Sequence, residues 1–327
     1  VALLLALLAS RSSVAQPGPT FAQVLAPPEA VATDAELSQP LDYVARSDGS
    51  LVFVEFQSRQ VTRLSPDGTV RWRVGREGSG PGEFRTPDRL AVLPDEGVLV
   101  FDLGTQRFSQ LDSSGAFVRT LRADMQLIVH SLLESPSGEV LVSGWSADPR
   151  GRSSALHVFS SDLRYRRSAG DLPESRDPEV RRFVGTGSIR PLASGGFVHT
   201  RDFPYEMVRY SWAFQPIART KVPAVVDPPE RWRERTVSGG RASMRSNPAA
   251  RRPSAITPLS DNLLLGGTFS LEDRLVLFDA AGRRLDDIRR PDPWSTSAAY
   301  DRARRQLLIC GERDDVPTLY QVRLRLR

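Results

Sequence analysis

The chain has 327 residues, 40% of them hydrophobic and 25% charged, with 25 Pro and 24 Gly. That balance excludes a disordered or collagen-like chain and leaves a globular one, long enough for two average domains or for one closed all-β fold. The net charge of +5 is almost wholly Arg, Lys221 being the one Lys; the Arg are scattered rather than clustered outside one segment, which fits a solvated surface, and no nucleic-acid partner is expected.

In chain order, Val1 to Ala9 is apolar and Ser13-Val14-Ala15 precedes Gln16 in the small-x-small form of a signal-peptidase site. Residues 1–15 therefore read as part of a signal peptide that begins before Val1. The run is shorter than the roughly 20 apolar residues that span a bilayer, and no Cys follows it to carry a lipid. Export to the periplasm or beyond is expected, with no transmembrane anchor. Cys310, the sole cysteine, lies in an apolar stretch and reads as a buried structural thiol, with no intrachain disulfide possible.

Residues 16–40 are extended in character and precede a repeat over 41–327. Gly75 to Leu121 holds its clearest copy: a Gly/Pro-rich turn, a short apolar strand, Val98 to Asp102, a strand around Phe108, and Phe117 to Leu121. Four short strands joined by tight turns in under fifty residues make one propeller blade. The second-strand anchor recurs as SDGSLVFV from Ser47, PDEGVLVF from Pro94, PSGEVLVS from Pro136, ASGGFVHT from Ala193, SDNLLLGG from Ser260 and ARRQLLIC from Ala303. Third strands follow from Val61, Phe108, Leu156, Val208, Leu275 and Leu319. Six copies predict a six-bladed, all-β propeller of four-stranded antiparallel blades. The last copy runs out at its third strand, so the segment within Pro19 to Glu36 is expected to supply the missing outer strand and close the ring.

The period is interrupted at Pro173 to Val184 and again at 223–258, between blades four and five. The second insertion is Arg-rich, and its DPPERWRERTV is expected to start a short helix at its prolines.

GSGPGEFRTPDRLAV and GVLVFDLGTQRFSQL resemble the NHL-repeat family of six-bladed propellers, on Gly78, Gly80, Pro81, Gly82, Phe84, Pro87, Val100, Asp102 and Arg107. The resemblance is close in blade two, partial in blades one, three and five, and poor in four and six. It implies an exported bacterial propeller of unassigned function. The residues themselves imply structural work: glycines for positive φ, Phe84 as a plug between blades, Asp102 and Arg107 pairing across a turn.

Candidates for chemistry are few. His130, His157 and His199 have no metal-ligand spacing; His199, on the second strand of blade four, is the one placed toward the channel. The only asparagines are Asn247 and Asn262, a poor supply for the cation site of a propeller lactonase. No GxSxG elbow is present, and Asp286-Asp287 and Asp314-Asp315 read as acids in surface turns. The insertion is the stronger candidate: Arg231, Trp232, Arg233, Arg235, Arg241 and Arg245 combine guanidinium groups with an aromatic ring, suited to an acidic ligand or protein partner of the cell envelope. The expectation is a monomeric binding or scaffold module without a cofactor, its ligand held at one mouth of the channel. The alternative is a divalent-cation-dependent hydrolase or lyase at the same mouth.

Overall fold

A computed structural model describes residues 19–33, 40–172 except 153, 186–221 except 193 and 202–204, the strands at 233–238 and 241–246, residues 231, 247, 250 and 252–253 near them, and 256–260, 262–269, 274–289, 299–301, 304–313 and 316–325. The six predicted copies are six blades of a closed ring. From the channel outward, blade one is Pro40–Ala45, Leu51–Glu55, Gln60–Leu64 and Val70–Val74. Blade two is Pro87–Val92, Val98–Asp102, Arg107–Leu111 and Phe117–Leu121. Blade three is Ile128–Glu134, Val140–Trp145, Ser154–Phe159 and Tyr165–Asp171; blade four is Ile189–Pro191, Phe197–Arg201, Glu206–Tyr210 and Pro216–Lys221. Blade five has Thr257–Ser260 inside, then Leu263–Phe269, Arg274–Asp279 and Arg284–Arg289.

The second strands of blades one to three open as unbroken apolar runs because each is covered on both faces by neighbouring blades. Leu51–Glu55, Val98–Asp102 and Phe197–Arg201 are buried at every position, whereas the outer strand Phe117–Leu121 is exposed along most of its length. The core is consequently six slabs, one per interface. Phe84, Val54 and Val100 fill the gap between blades one and two, and Phe101, Phe108 and Phe159 that between two and three. Leu156, Phe197 and Tyr210 lie between three and four, and Met207 and Phe278 between four and five. Leu277 and Ile309 join five to six, and Phe53 and Leu308 join six to one.

The turns that close the inner hairpins use one device. In the first, the Arg46 amide donates to Ser50, Gly49 donates back to Arg46, and the Asp48 carboxylate accepts the Ser50 amide at 2.9 Å. Gly49 takes φ +76°, which an L side chain resists.

Blade six contains Ala299–Asp301, Gln306–Arg313 and Val316–Arg323, and its fourth strand is Glu29–Thr33 from the other end of the chain. That strand runs antiparallel to the last one, with Glu29 opposite Gln321 and Thr33 opposite Thr318. Ahead of it, the short helix Phe21–Val24 is capped by Thr20 and Gln23 and seats Phe21, Val24 and Leu25 in the slab between blades five and six. The Asp286 carboxylate accepts the Phe21 amide at 2.7 Å. Ring closure without a covalent bond is thus the work of residues 21–33.

Candidate functional site

In an up-and-down meander, the connection from the second to the third strand and the connection between blades emerge at the same end. Hence the segments 75–86 and 122–127 leave at one mouth of the channel, where the outer strands Tyr165–Asp171, Pro216–Lys221 and Arg284–Arg289 also end. The opposite mouth carries tight turns such as Arg46–Ser50, Leu93–Gly97 and Ser135–Glu139.

The inner strands bring ionisable side chains to the channel wall. A bulge near the start of each of the first three places Leu41, Asp88 and His130 at the extra position. The next residues, Asp42, Arg89 and Ser131, stand opposite Val54, Phe101 and Ser143. Each of these three bonds to the inner strand of the following blade. Asp42 Oδ2 accepts the Leu90 amide at 3.0 Å, Arg89 Nε donates to the His130 carbonyl at 2.7 Å, and Ser131 Oγ accepts the Ile189 amide at 3.2 Å. Arg190 also donates to Ser131 Oγ at 3.2 Å. Asp88 pairs with Arg89 at 2.7 Å. Burial raises the Asp88 pKa; Arg89 opposes the rise and Asp42 adds to it. The polar wall of the channel therefore interlocks successive blades.

Two of the three histidines, His199 and His157, serve packing. His199, expected toward the channel, is 1% exposed in the interface of blades three and four, its Nε2 3.3 Å from Ser143 Oγ. Its register shows why: it occupies the position that Phe53 and Val100 fill in blades one and two, a slab position rather than a channel one. Burial, with Arg201 nearby, brings its pKa down to about 3. His157 is likewise buried between Ser168 Oγ at 2.9 Å and the Gly144 carbonyl at 3.3 Å, its pKa lowered to about 4 by burial. Among the described residues no group of three or more His, Cys, Asp or Glu side chains could hold a metal ion. Cys310 lies on Gln306–Arg313, opposite Leu319.

In the blade-two motif, Phe84 is fully buried between blades one and two. Of its glycines, Gly82 takes φ +72° while Gly78 and Gly80 do not require positive φ. Those two make room for Glu83 instead: a Cβ on Gly78 would lie 2.1 Å from its carboxylate, and the Gly80 amide donates to it at 2.9 Å. Pro87 opens the inner strand opposite Asp102. Asp102 accepts the amides of Arg85, Thr86, Gly104 and Thr105 at 2.7 to 3.2 Å. Arg107 faces it in register, yet its guanidinium donates to the Ser79 carbonyl at 3.2 Å.

Of the helix expected in the second insertion, Arg231 has 3-10 conformation and the residues from Arg233 on are extended. Arg233–Ser238 is a strand paired antiparallel with Arg241–Ser246. Ser238 stands opposite Arg241, so Gly239 and Gly240 alone connect the two. A two-residue Gly-Gly link after a β-branched pair is a hairpin signal, and it outweighs the prolines upstream. Arg231 is exposed and its carbonyl accepts Asn247 at 3.0 Å. Arg233, Arg235, Arg241 and Arg245 are hairpin residues; Trp232 lies outside the described residues, as do 173–184 and Asp314-Asp315. Asp286 and Asp287 stand in the outer strand of blade five rather than in a turn, the first holding the Phe21 amide and the second pairing with Arg274 at 2.8 Å and Arg284 at 2.9 Å.

Two concavities flank the slab between blades two and three, and no sequence pattern marked either. One, about 360 Å³, opens beside the inter-blade segment 122–127, floored by Phe101, Phe108 and Met125. The other, about 230 Å³, lies among the tight turns and holds Asp95, Arg119 and Glu134. Burial and the Asp95 charge push the Glu134 carboxyl up to about 7.

No family model matches the sequence, and no curated protein matches it. The fold is similar to that of a predicted exported protein of Bacteroides fragilis NCTC 9343, with a TM-score of 0.66 at 11% identity over 92% of this chain and 94% of that one. It is also similar to a DUF4221-family member of Bacteroides vulgatus ATCC 8482, with a TM-score of 0.60 at 9% identity over 92% and 98%. A streptogramin B lyase superposes with a TM-score of 0.51 at 11% identity over 92% and 98%. At these identities the likeness is one of fold, a six-bladed β-propeller.

Proposed function

We propose that the chain is an exported binding module that holds a protein partner or acidic ligand at the mouth from which its inter-blade segments leave. The observation that carries this reading is the asymmetry of the two ends: the strands that bound the long insertions, the one holding the Arg-rich hairpin included, end at one mouth, and tight turns occupy the other. A rigid ring presenting variable loops at one end is a common arrangement for recognition. Arg231, Trp232, Arg233, Arg235, Arg241 and Arg245 are the proposed contacts, and His199 serves the interface of blades three and four. Residues 1–15 are proposed as signal-peptide sequence and 41–327 as a single propeller domain; the apolar run before Ser13-Val14-Ala15 supports export, as does the exported character assigned to the B. fragilis neighbour. No helix among the described residues is long and apolar enough to cross a membrane.

The test replaces 225–249 with a short Gly-Ser linker, sparing Arg252–Pro253, which pairs with Leu263–Phe269 of blade five. The variant is expected to keep the parent's denaturation midpoint and to lose the envelope proteins that the parent retains after crosslinking. Retention of the same proteins in the same yield by both chains defeats the reading. A second reading, a cation-dependent hydrolase or lyase, draws on Asp42 and Asp88, close enough in the channel wall for one charge to raise the other's pKa. Stoichiometric calcium or zinc in the dialysed protein, lost in the Asp88→Asn variant, would favour it over the binding module.

A further inference from the structure

We propose that the groove between blades two and three, together with the apolar turns beside it, takes an extended segment of a partner protein in which an acidic residue adjoins a bulky apolar one. This rests on the reading that the mouth with the inter-blade segments is the binding end.

The floor of the groove is Phe101, Phe108 and Met125, and its volume of about 360 Å³ suits one large side chain with its flanking backbone. Beyond it, at the same mouth, three large apolar side chains are exposed. Phe56 and Leu103, each the residue that follows the second strand of its blade, are 41% and 43% exposed, and Leu41 on the inner strand is 42% exposed. Surface spread over the turns of two adjacent blades is longer than a small ligand covers, and large apolar groups left open together mark a protein contact. An extended chain crossing successive turns matches that layout.

Charge selects the kind of chain. The acids that line the groove are already engaged: Asp124 accepts the Tyr165 amide at 2.8 Å, and Asp148 is paired with Arg150 at 2.7 Å, which holds its pKa down to about 2. The cations are not. Arg122 at the rim and Arg85, packed against Gly104 beside Leu103, are exposed, and among the described residues no ion pair engages either. Arg59 lies over the Phe56 ring at 4.4 Å and donates to the Phe56 carbonyl, which fixes a guanidinium next to an apolar anchor. Guanidinium groups beside exposed aromatic and aliphatic surface suit carboxylates flanking an apolar side chain.

The experiment uses the full chain against immobilised ten-residue peptides with a central Phe flanked by Asp, by Gln or by Lys. Asp-flanked peptides are expected to bind at least about fivefold more tightly than Gln-flanked ones, with the preference shrinking as salt rises. Arg122→Glu should weaken Asp-flanked binding about tenfold, the scale of reversing one rim charge, and Leu103→Asp should abolish it. Both positions are exposed, and an unchanged denaturation midpoint verifies folding. Equal affinity for the three peptide sets, no binding to any, or full binding by folded Arg122→Glu overturns the proposal. If envelope capture depends on 225–249 but not on Arg122 or Leu103, the groove fails while the mouth reading stands; if it depends on neither, both fail.

Discussion

Replacing Phe21 by Ala tests whether the N-terminal segment is part of the cooperative ring. Phe21 is 6% exposed and lies in one apolar slab with Leu259, Leu277, Leu307 and Val322, so its ring is shared by blade five and blade six. Truncating a buried Phe loses the transfer free energy of the ring and leaves a cavity, together about 3 to 5 kcal/mol. Here the lower end applies, about 3 kcal/mol, because the four-residue helix that carries Phe21 sits at the chain end and can settle inward. A domain stable by about 5–15 kcal/mol would lose a large fraction of that. The neighbouring Ala22 is exposed on the same helix, and Ala22→Ser should change stability by less than about 0.5 kcal/mol. Guanidinium titrations followed by intrinsic fluorescence and by circular dichroism measure both. A single transition shifted to lower denaturant for Phe21→Ala alone is the expected outcome. Coincident curves for the two variants would refute the closing role, and a separate early transition would mean that the segment unlatches before the ring unfolds.

Asp102→Ala strips four amides of their acceptor at a residue 2% exposed and should cost about 2 to 4 kcal/mol by the same titration, whereas loss of the exposed Asp67 carboxylate should cost far less. Gly75→Ala and Gly195→Ala both force a side chain to φ near +100°, but only the first drives its Cβ to 2.7 Å from the Phe84 ring, so Gly75→Ala should lower the thermal midpoint well beyond Gly195→Ala; equal shifts would remove the role given to that contact. Glu134 gives a pH signature. Its folded pKa is raised from 4.5 to about 7, so the folded chain holds the extra proton between those values and stability is lost as pH rises through 7. Relative to the parent, Glu134→Gln should gain stability between pH 5 and pH 8, and a pH-independent difference would show that the carboxyl titrates normally.

The ring was legible in the sequence because blade geometry writes two strong local signals: a Gly-bearing turn and an unbroken apolar second strand. Where the motif is poor one of the two survives: Gly195 and Gly196 precede Phe197–Arg201, and the apolar run persists in Gln306–Arg313, whose turn has Arg305 at φ +52° in place of a glycine. Closure by residues 29–33 was legible by counting, since an unpaired third strand needs an edge partner. The hairpin at 233–246 was missed because Pro and Arg suggested a helix start while the Gly-Gly link carried the stronger information. His199 was misplaced because a second strand presents alternate residues to its two neighbouring slabs, so a shift of one residue exchanges one slab for the other and points no side chain into the channel. The groove between blades two and three could not be read at all. Its floor comes from residues of two strands and an inter-blade segment, which no local pattern joins.

The end of the second strand shows why some blades escape a motif. At that position blade two has Asp102, blade one Glu55 and blade four Arg201. Each is almost wholly buried and meets polar demand at the turn that follows. Glu55 accepts Thr62 and lies 3.6 Å from Arg73 on the outer strand. Arg201 reverses the sign: Glu206, opposite it in register, takes its guanidinium at 2.8 Å and also that of Arg219 at 2.9 Å. Arg219 stands opposite Val208 as Arg73 stands opposite Thr62, so the outer-strand cation is kept while the inner pair is exchanged. In these three blades the position holds a neutralised buried ion with its donors and acceptors matched, not a carboxylate as such, while blade three has Gly144 there. A pattern that asks for Asp therefore fails in blade four while the physical constraint behind it is satisfied, and the repeat is recovered by register where residue identity loses it.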